Sequence, residues 1–139
     1  MSNRMSNERK KQLFLIFAIG IGGMLGSIAR FGISLLWTTN GDFPYATFIV
    51  NVIGCFFIGF FMNNRRLKHF LHPHVLTGIQ TGFIGSFTTY STFAMETIQL
   101  WHKHQQFLAI SYVLMSVFGG ALCYVLGCQV TTRKRRRSL

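Results

Sequence analysis

Four long apolar segments constrain the fold of this chain more than any other feature. They cover residues 13–37, 44–62, 75–100 and 107–130, about two thirds of the 139 residues. Each reaches the roughly 20 residues that a helix needs to cross a hydrocarbon core about 30 Å thick. Charged residues make up only 12% of the chain, whereas a soluble domain devotes about a quarter of its residues to charge. The pattern predicts an all-α membrane protein, with four transmembrane helices in a single domain.

Lys and Arg are segregated to one side of the predicted spans. With four spans, the two termini and the loop between the second and third spans share one side, and twelve of the 14 Lys and Arg lie there, in residues 1–12, 63–74 and 131–139. Short basic loops remain in the cytoplasm, so we expect basic cytoplasmic tails at 1–12 and 131–139 and one fixed orientation in the cell membrane. The basic residues that give the net charge of +11 therefore flank the membrane spans, where they can contact lipid headgroups. We expect no nucleic-acid partner.

Polar and small residues in the first two spans mark contacts between helices. Gly22 and Gly26 form a small-xxx-small pair in the first span, which favours close packing of another helix. Arg30 lies roughly 10 Å of helical rise before the end of that span, where it either snorkels to the outer interface or caps backbone carbonyls near a pore mouth. In the second span, Thr47 and Asn51 share one face. Asn51 either bonds a neighbouring helix or offers its NH2 group to an anion.

The third span is unusual because five consecutive residues, from Thr88 to Thr92, carry hydroxyl groups. Such a run points around the whole helix, so protein rather than lipid has to surround it. Gly82 and Gly85 favour a break in this helix, near mid-membrane. A broken helix at membrane depth frees carbonyls that can hold a cation and a helix N-terminus that can face an anion; a structural kink alone is the alternative. Glu96 is either a buried hydrogen-bond partner or close to the water interface.

These residues together carry a resemblance to a known family. The sequence is similar to the CrcB/Fluc family of fluoride channels over all four spans, through the patterns Gly26-x3-Arg30-Phe31-Gly32, Thr47-Phe48-Ile49-Val50-Asn51-Val52-Ile53-Gly54 and Gly82-Phe83-x-Gly85-x2-Thr88-Thr89-Tyr90-Ser91-Thr92-Phe93. The resemblance implies a dimer of two antiparallel four-helix subunits with two narrow fluoride pores. It implies passive efflux of cytoplasmic fluoride, which gives fluoride resistance.

The resemblance also assigns roles to individual positions. It implies that the backbone carbonyls of Gly85 and Thr88 bind a structural sodium ion on the dimer axis. Asn51 becomes a pore-lining donor, and Tyr90 and Phe93 become the aromatic pair beside the fluoride path. The positions that match hydroxyl-bearing pore-lining residues are Ser91, Thr92, Tyr112 and Ser116.

Two departures from the family pattern affect this interpretation. The family has Phe where this chain has Tyr90, whose hydroxyl either obstructs the pore, donates to the anion or marks a degenerate aromatic pair. Homodimeric members insert in both orientations and need balanced loop charge, which this chain lacks. We therefore expect one half of an antiparallel heterodimer with a paralogous subunit of opposite charge bias.

Other classes of protein explain the sequence less well. A small multidrug-type four-helix transporter, the main alternative, would place a carboxylate near the first helix, but the only acids are Glu8, Asp42 and Glu96, and the first span holds Arg30 instead. A non-transporting scaffold would leave the hydroxyl run unexplained. No pair of ionisable groups converges on one face, so we expect no enzyme activity.

Overall fold

The structure, a computed structural model, describes residues 2–37 and 42–136. Helices account for nearly all of these residues, and the described ranges contain no strand. The elements in chain order are α1 (Ser2–Leu36), α2 (Tyr45–Asn63), α3 (Arg65–Phe70), α4 (Pro73–Thr77), a π-helical segment π1 (Gly78–Ile84), α5 (Gly85–Phe87), α6 (Tyr90–His102) and α7 (Gln106–Arg136). The prediction of an all-α chain is confirmed.

Three of the helices are long and apolar enough to cross a membrane. These are Glu8–Leu36, Tyr45–Asn63 and Gln106–Thr132, with mean hydropathies of 1.9, 2.0 and 1.9. Many of their large apolar side chains face outward, as Phe17 does at 67% exposure and Phe118 at 70%. An apolar surface of this extent is stable against lipid and not against water. The chain is therefore a helical membrane protein.

The basic ends of the chain continue the first and last helices. α1 has 35 residues and α7 has 31, and at 1.5 Å per residue each is longer than a hydrocarbon core about 30 Å thick. The segment 1–12 is helical from Ser2, and 131–139 is helical as far as Arg136; residues 1 and 137–139 lie outside the described ranges. The predicted tails are thus, where described, helical extensions of the outer helices.

The predicted third span, 75–100, is not one continuous helix. The segments α4, π1 and α5 follow one another without a gap over residues 73–87, and α6 resumes at Tyr90. Between them the backbone of Thr88 and Thr89 is extended, with ψ angles of 158° and 123°. The interruption therefore lies at Thr88 and Thr89, and its predicted position at Gly82 and Gly85 is wrong, because both glycines lie within helical segments.

The helices pack in two main pairs, α2 against α7 and α1 against π1. In the second pair the glycines of α1 approach backbone atoms directly. A Cβ added at Gly22 would overlap the carbonyl oxygen of Gly78, and one at Gly26 would overlap that of Phe83. Only glycine permits this approach, which brings the backbones of α1 and π1 into contact. Gly82 lies on the same interface, where an added Cβ would meet the carbonyl oxygen of Ile19 at 2.5 Å.

Candidate functional site

The interruption between α5 and α6 is bound by the side chain of Asn51 on α2. Its Nδ2 donates to the carbonyl oxygen of Thr89 at 3.0 Å, and its Oδ1 accepts from the backbone N–H of Thr89 at 2.8 Å. The amide therefore supplies both partners that the Thr89 peptide groups would otherwise find within a helix. One Nδ2 hydrogen of Asn51 is left over from this pairing. The structure therefore shows the predicted bond of Asn51 to a neighbouring helix, whereas donation of its NH2 group to an anion stays a prediction.

Backbone carbonyls at the end of α5, among them those of Gly85 and Thr88, lose their helical donors at the interruption. In a continuous α-helix the N–H of residue i+4 donates to the carbonyl of residue i. The N–H of Thr89, which would serve Gly85, donates to Asn51 instead, and the N–H of Thr92, which would serve Thr88, donates to Oγ1 of Thr89 at 3.2 Å. The space where a Gly85 side chain would lie is open. Carbonyl oxygens freed in this way are the donors that a hard cation such as Na+ prefers.

Hydroxyl groups gather around Thr89, which is buried at the start of α6. Its Oγ1 caps the helix by accepting from the N–H of Thr92, donates to Oγ1 of Thr92 at 2.9 Å and lies 3.4 Å from Oγ of Ser91. Thr89 belongs to the predicted hydroxyl run, but no separate role was predicted for it. The signal that was available is a Thr three residues before another polar residue at the start of a helix, a common N-cap arrangement.

A second polar cluster is centred on Glu96, one carboxylate bound by two hydroxyl groups. Thr47 donates from Oγ1 to Oε1 at 2.8 Å, and Tyr112 donates from its OH to Oε2 at 2.8 Å. The three residues come from α2, α6 and α7, so the carboxylate joins three helices. Glu96 is half-buried and is thus a hydrogen-bond partner, one of its two predicted roles. The sequence placed Thr47 beside Asn51 on one face but did not identify Glu96 as its partner.

Aromatic rings form a row beside these polar groups. The centroid of Phe93 lies 6.1 Å from that of Tyr90 and 5.1 Å from that of Tyr112, and Tyr112 in turn lies 5.4 Å from Phe43 in an edge-on arrangement. Tyr112 is completely buried, whereas Tyr90 is 81% exposed. The row therefore runs from the interior of the subunit at Tyr112 to its open surface at Tyr90.

Two cavities lie on either side of the Thr47–Glu96 hydrogen bond. The first, of about 200 Å³, is lined by Arg30 together with the hydroxyl-bearing residues Ser27, Ser34, Thr47, Thr89 and Thr92. The second, of about 340 Å³, is lined by Glu96 and, near the ends of the helices, by Asp42 and Lys103. Thr47 faces the first cavity and Glu96 the second. The Thr47–Glu96 hydrogen bond therefore links the linings of the two cavities.

The structure brings most of the predicted site residues into two neighbouring groups. Asn51, Thr92 and the interruption form one group, and Phe93 and Tyr112 form the other with Glu96. Ser116 lies one turn beyond Tyr112, and its Oγ is buried with no hydrogen-bond partner in the described part of the chain. Ser91, Tyr90 and Gly85 are instead exposed on the surface of the subunit. Within residues 2–37 and 42–136, no three His, Cys, Asp or Glu side chains come together as a metal site.

The fold and site together define a helical membrane protein with an interrupted helix and a cluster of hydroxyl groups at the interruption. Comparison with known proteins then identifies the family. Residues 17–128 match the family model described as "CrcB-like protein, Camphor Resistance (CrcB)". The chain belongs to this family.

Relatives in this family resemble the chain over most of its length. A protein of Listeria innocua named "Fluoride-specific ion channel FluC 2" is 43% identical over 119 residues, covering 86% of this chain and 92% of the relative. A protein of Bacillus cereus named "Fluoride-specific ion channel FluC 1" is 42% identical over 129 residues, covering 91% and 88%. A protein of Azobacteroides pseudotrichonymphae named "Fluoride-specific ion channel FluC" is 37% identical over 118 residues, covering 84% and 94%.

Proposed function

We propose that this chain is a subunit of a fluoride-specific ion channel, which lets cytoplasmic fluoride leave the cell passively and so confers fluoride resistance. The observation that carries the proposal is the interruption at Thr88 and Thr89, bound by Asn51 and surrounded by hydroxyl groups. The names of the relatives, which are 37–43% identical to it, support the same substrate. The protein is a channel and not an enzyme.

The chemistry of fluoride fits the uncharged donors near the interruption. Fluoride is small and strongly hydrated, so a narrow pore has to replace its water shell with hydrogen-bond donors. The hydroxyl groups of Thr92 and Ser116 and the remaining Nδ2 hydrogen of Asn51 can donate without permanent charge, which would hold the ion too tightly for conduction. The positive edges of aromatic rings such as Phe93 also face anions favourably. Arg30, which lines the first cavity, would attract anions there through its positive charge.

Four membrane crossings follow if the two helical parts of residues 73–102 together form the third one. The 15 residues of 73–87 and the 13 of α6 would then each span about half of the bilayer, with the interruption near its middle. Three apolar helices of sufficient length support the other crossings. The charge distribution supports cytoplasmic termini in the plasma membrane.

A single copy of the chain leaves part of the proposed site open. Tyr90 is 81% exposed, and Ser91 and Gly85 also lie on the open surface. An antiparallel dimer would cover these residues with a second subunit and complete the pores. The strong charge bias favours a paralogous partner of opposite orientation, and the names of relatives numbered FluC 1 and FluC 2 are consistent with paired genes.

We assign a structural sodium ion to the freed carbonyls at the interruption. The carbonyl oxygens of Gly85 and Thr88 lose their helical donors, and Gly85 lies on the surface that the second subunit would cover. Carbonyls from two subunits would complete an all-oxygen site on the dimer axis. A cation there would attract the anion in a medium of low dielectric constant, where Coulomb interactions are strong.

A small multidrug-type transporter fits the site less well. Coupled export of a cation requires a carboxylate that is free to bind it within the membrane. Both oxygens of Glu96 already accept hydrogen bonds from Thr47 and Tyr112, and Arg30 lines the adjacent cavity.

Fluoride efflux from liposomes tests the proposal directly. The purified chain is reconstituted alone and together with its paralogue, and fluoride release is followed with a fluoride electrode after the membrane potential is clamped. We expect rapid release from the co-reconstituted pair, with chloride excluded. Release by the chain alone would contradict the requirement for a paralogue, and no release from either preparation would contradict the channel assignment.

A further inference from the structure

The short helix α3 lies at the membrane surface because of its connection to α2. Only Asn64 separates the end of the apolar helix α2 from the start of α3. Its Oδ1 accepts from the N–H of Leu67 at 3.2 Å, so one residue both ends α2 and caps α3. A helix that begins one residue after a membrane-crossing segment is at the level of the lipid headgroups.

The other end of the loop is held against α1. The ring of Phe14 on α1 packs edge-on against the rings of His72 and His74, at centroid distances of 6.2 and 5.8 Å. Between these two attachments, α3 makes no extensive contact with the other helices in the described part of the chain. One face of α3 is therefore free to contact something outside the subunit.

The composition and exposure of α3 combine positive charge with an apolar side chain. Its sequence, RRLKHF, contains three Lys and Arg and no acid. Lys68 is exposed, and Phe70 is 88% exposed. An aromatic residue beside several cations at the end of a membrane helix is typical of segments that lie in the bilayer interface.

In the part of the chain that the structure describes, each carboxylate side chain already has another partner. The chain has only three acidic residues. Glu8 pairs with Lys11 at 3.0 Å, and Asp42 lies 3.6 Å from Lys103. Glu96 accepts from two hydroxyl groups in the interior. None of these described carboxylates pairs with Lys68, which favours a counter-charge from outside the chain.

We propose that α3 is a lipid-binding element, in which Arg65, Arg66 and Lys68 bind the phosphates of anionic phospholipids and Phe70 inserts among their acyl chains. The level of α3 at the membrane surface favours lipid over soluble polyanions, which would leave Phe70 in water. A divalent metal at the neighbouring His72 and His74 is disfavoured by the surrounding positive charge. Each Lys or Arg near an anionic surface raises affinity about fivefold, so three raise it about a hundredfold.

A tryptophan introduced at position 70 provides a local probe of this contact. The full-length chain carries Phe70→Trp together with Trp37→Phe and Trp101→Phe, which remove the native fluorescence. It is reconstituted in vesicles that contain brominated phosphatidylglycerol or, at the same mole fraction, brominated phosphatidylcholine. We expect blue-shifted emission that is quenched several-fold more by brominated phosphatidylglycerol, because the anionic lipid is enriched around α3.

Two charge-matched variants separate α3 from the N-terminal segment. Arg65→Gln/Arg66→Gln/Lys68→Gln should abolish the preference for phosphatidylglycerol, whereas Arg9→Gln/Lys10→Gln/Lys11→Gln removes the same charge and should leave it. Native mass spectrometry of the chain with its natural Phe70 and Trp residues should show the same order of phosphatidylglycerol retention. Equal quenching by the two lipids, no quenching by either, or equal effects of the two triple variants would overturn the proposal. An emission shift produced by an oligonucleotide in neutral vesicles, without lipid preference, would assign α3 to a soluble polyanion instead.

Discussion

The substitution Asn51→Asp tests the role of Asn51 in conduction. It replaces the NH2 group of the side chain by an oxygen atom and leaves the rest of the side chain unchanged. In the structure Nδ2 of Asn51 donates to the carbonyl oxygen of Thr89 at 3.0 Å. Aspartate would put a carboxylate oxygen against that carbonyl, with loss of one hydrogen bond and an unsatisfied acceptor, at a cost of about 1–3 kcal/mol. The bond from the N–H of Thr89 to Oδ1 would remain. We therefore expect the fold to survive with reduced stability.

The effect of Asn51→Asp on fluoride flux should be larger than its effect on stability. Two unit charges about 4 Å apart at an effective dielectric constant of about 20 repel by about 4 kcal/mol, which slows passage about a thousandfold. In liposomes with the partner subunit present, efflux should fall to the background of protein-free vesicles. The control is Asn63→Asp, the same change at an exposed position that ends α2, which should conduct normally. Efflux within threefold of the unmodified protein would refute the placement of Asn51 beside the fluoride path.

Three further predictions concern stability and are measured as melting temperatures in detergent. Glu96→Gln and Tyr112→Phe should each destabilise by about 1–3 kcal/mol, and the double variant should lose less than the sum because both variants alter the same 2.8 Å bond; additive losses would contradict this coupling. Thr89→Val should lose about 0.5–2 kcal/mol with the N-cap of α6, and Thr89→Ser should restore it; equal melting of the two would argue against capping. Gly26→Ala should destabilise by about 1–3 kcal/mol through overlap with the backbone of π1, while Gly20→Ala, which has nothing within 4 Å of its added Cβ, should not; similar effects would exclude close packing.

The fold class and the apolar helices could be predicted from the sequence because hydropathy is a local property. The position of the interruption could not, because it depends on a contact with another helix. Gly82 and Gly85 have weak helix propensity, yet they remain helical in the structure. The backbone opens instead at Thr89, where Asn51 binds both peptide groups from 38 positions away in the chain.

The candidate site was predictable in its residue types but not in its pairing. The hydroxyl run indicated a polar interior, and Asn51, Phe93 and Tyr112 lie in it. The role of Glu96 stayed open because its partner Thr47 is 49 positions away, which no local pattern indicates. A sequence pattern also does not show whether a polar side chain faces the interior of its own subunit or an open surface. Ser91 belongs to the predicted hydroxyl run but lies on the open surface.

The two hydrogen bonds between Asn51 and Thr89 mean that the backbone shape of the interruption depends on two separate stretches of the gene. The segment 73–102 supplies the peptide groups, and the segment 45–63 supplies the amide that orders them. Chimaeras between relatives should therefore tolerate exchange of both segments together better than exchange of either alone. A change of either partner in this contact would therefore need a compensating change in the other helix.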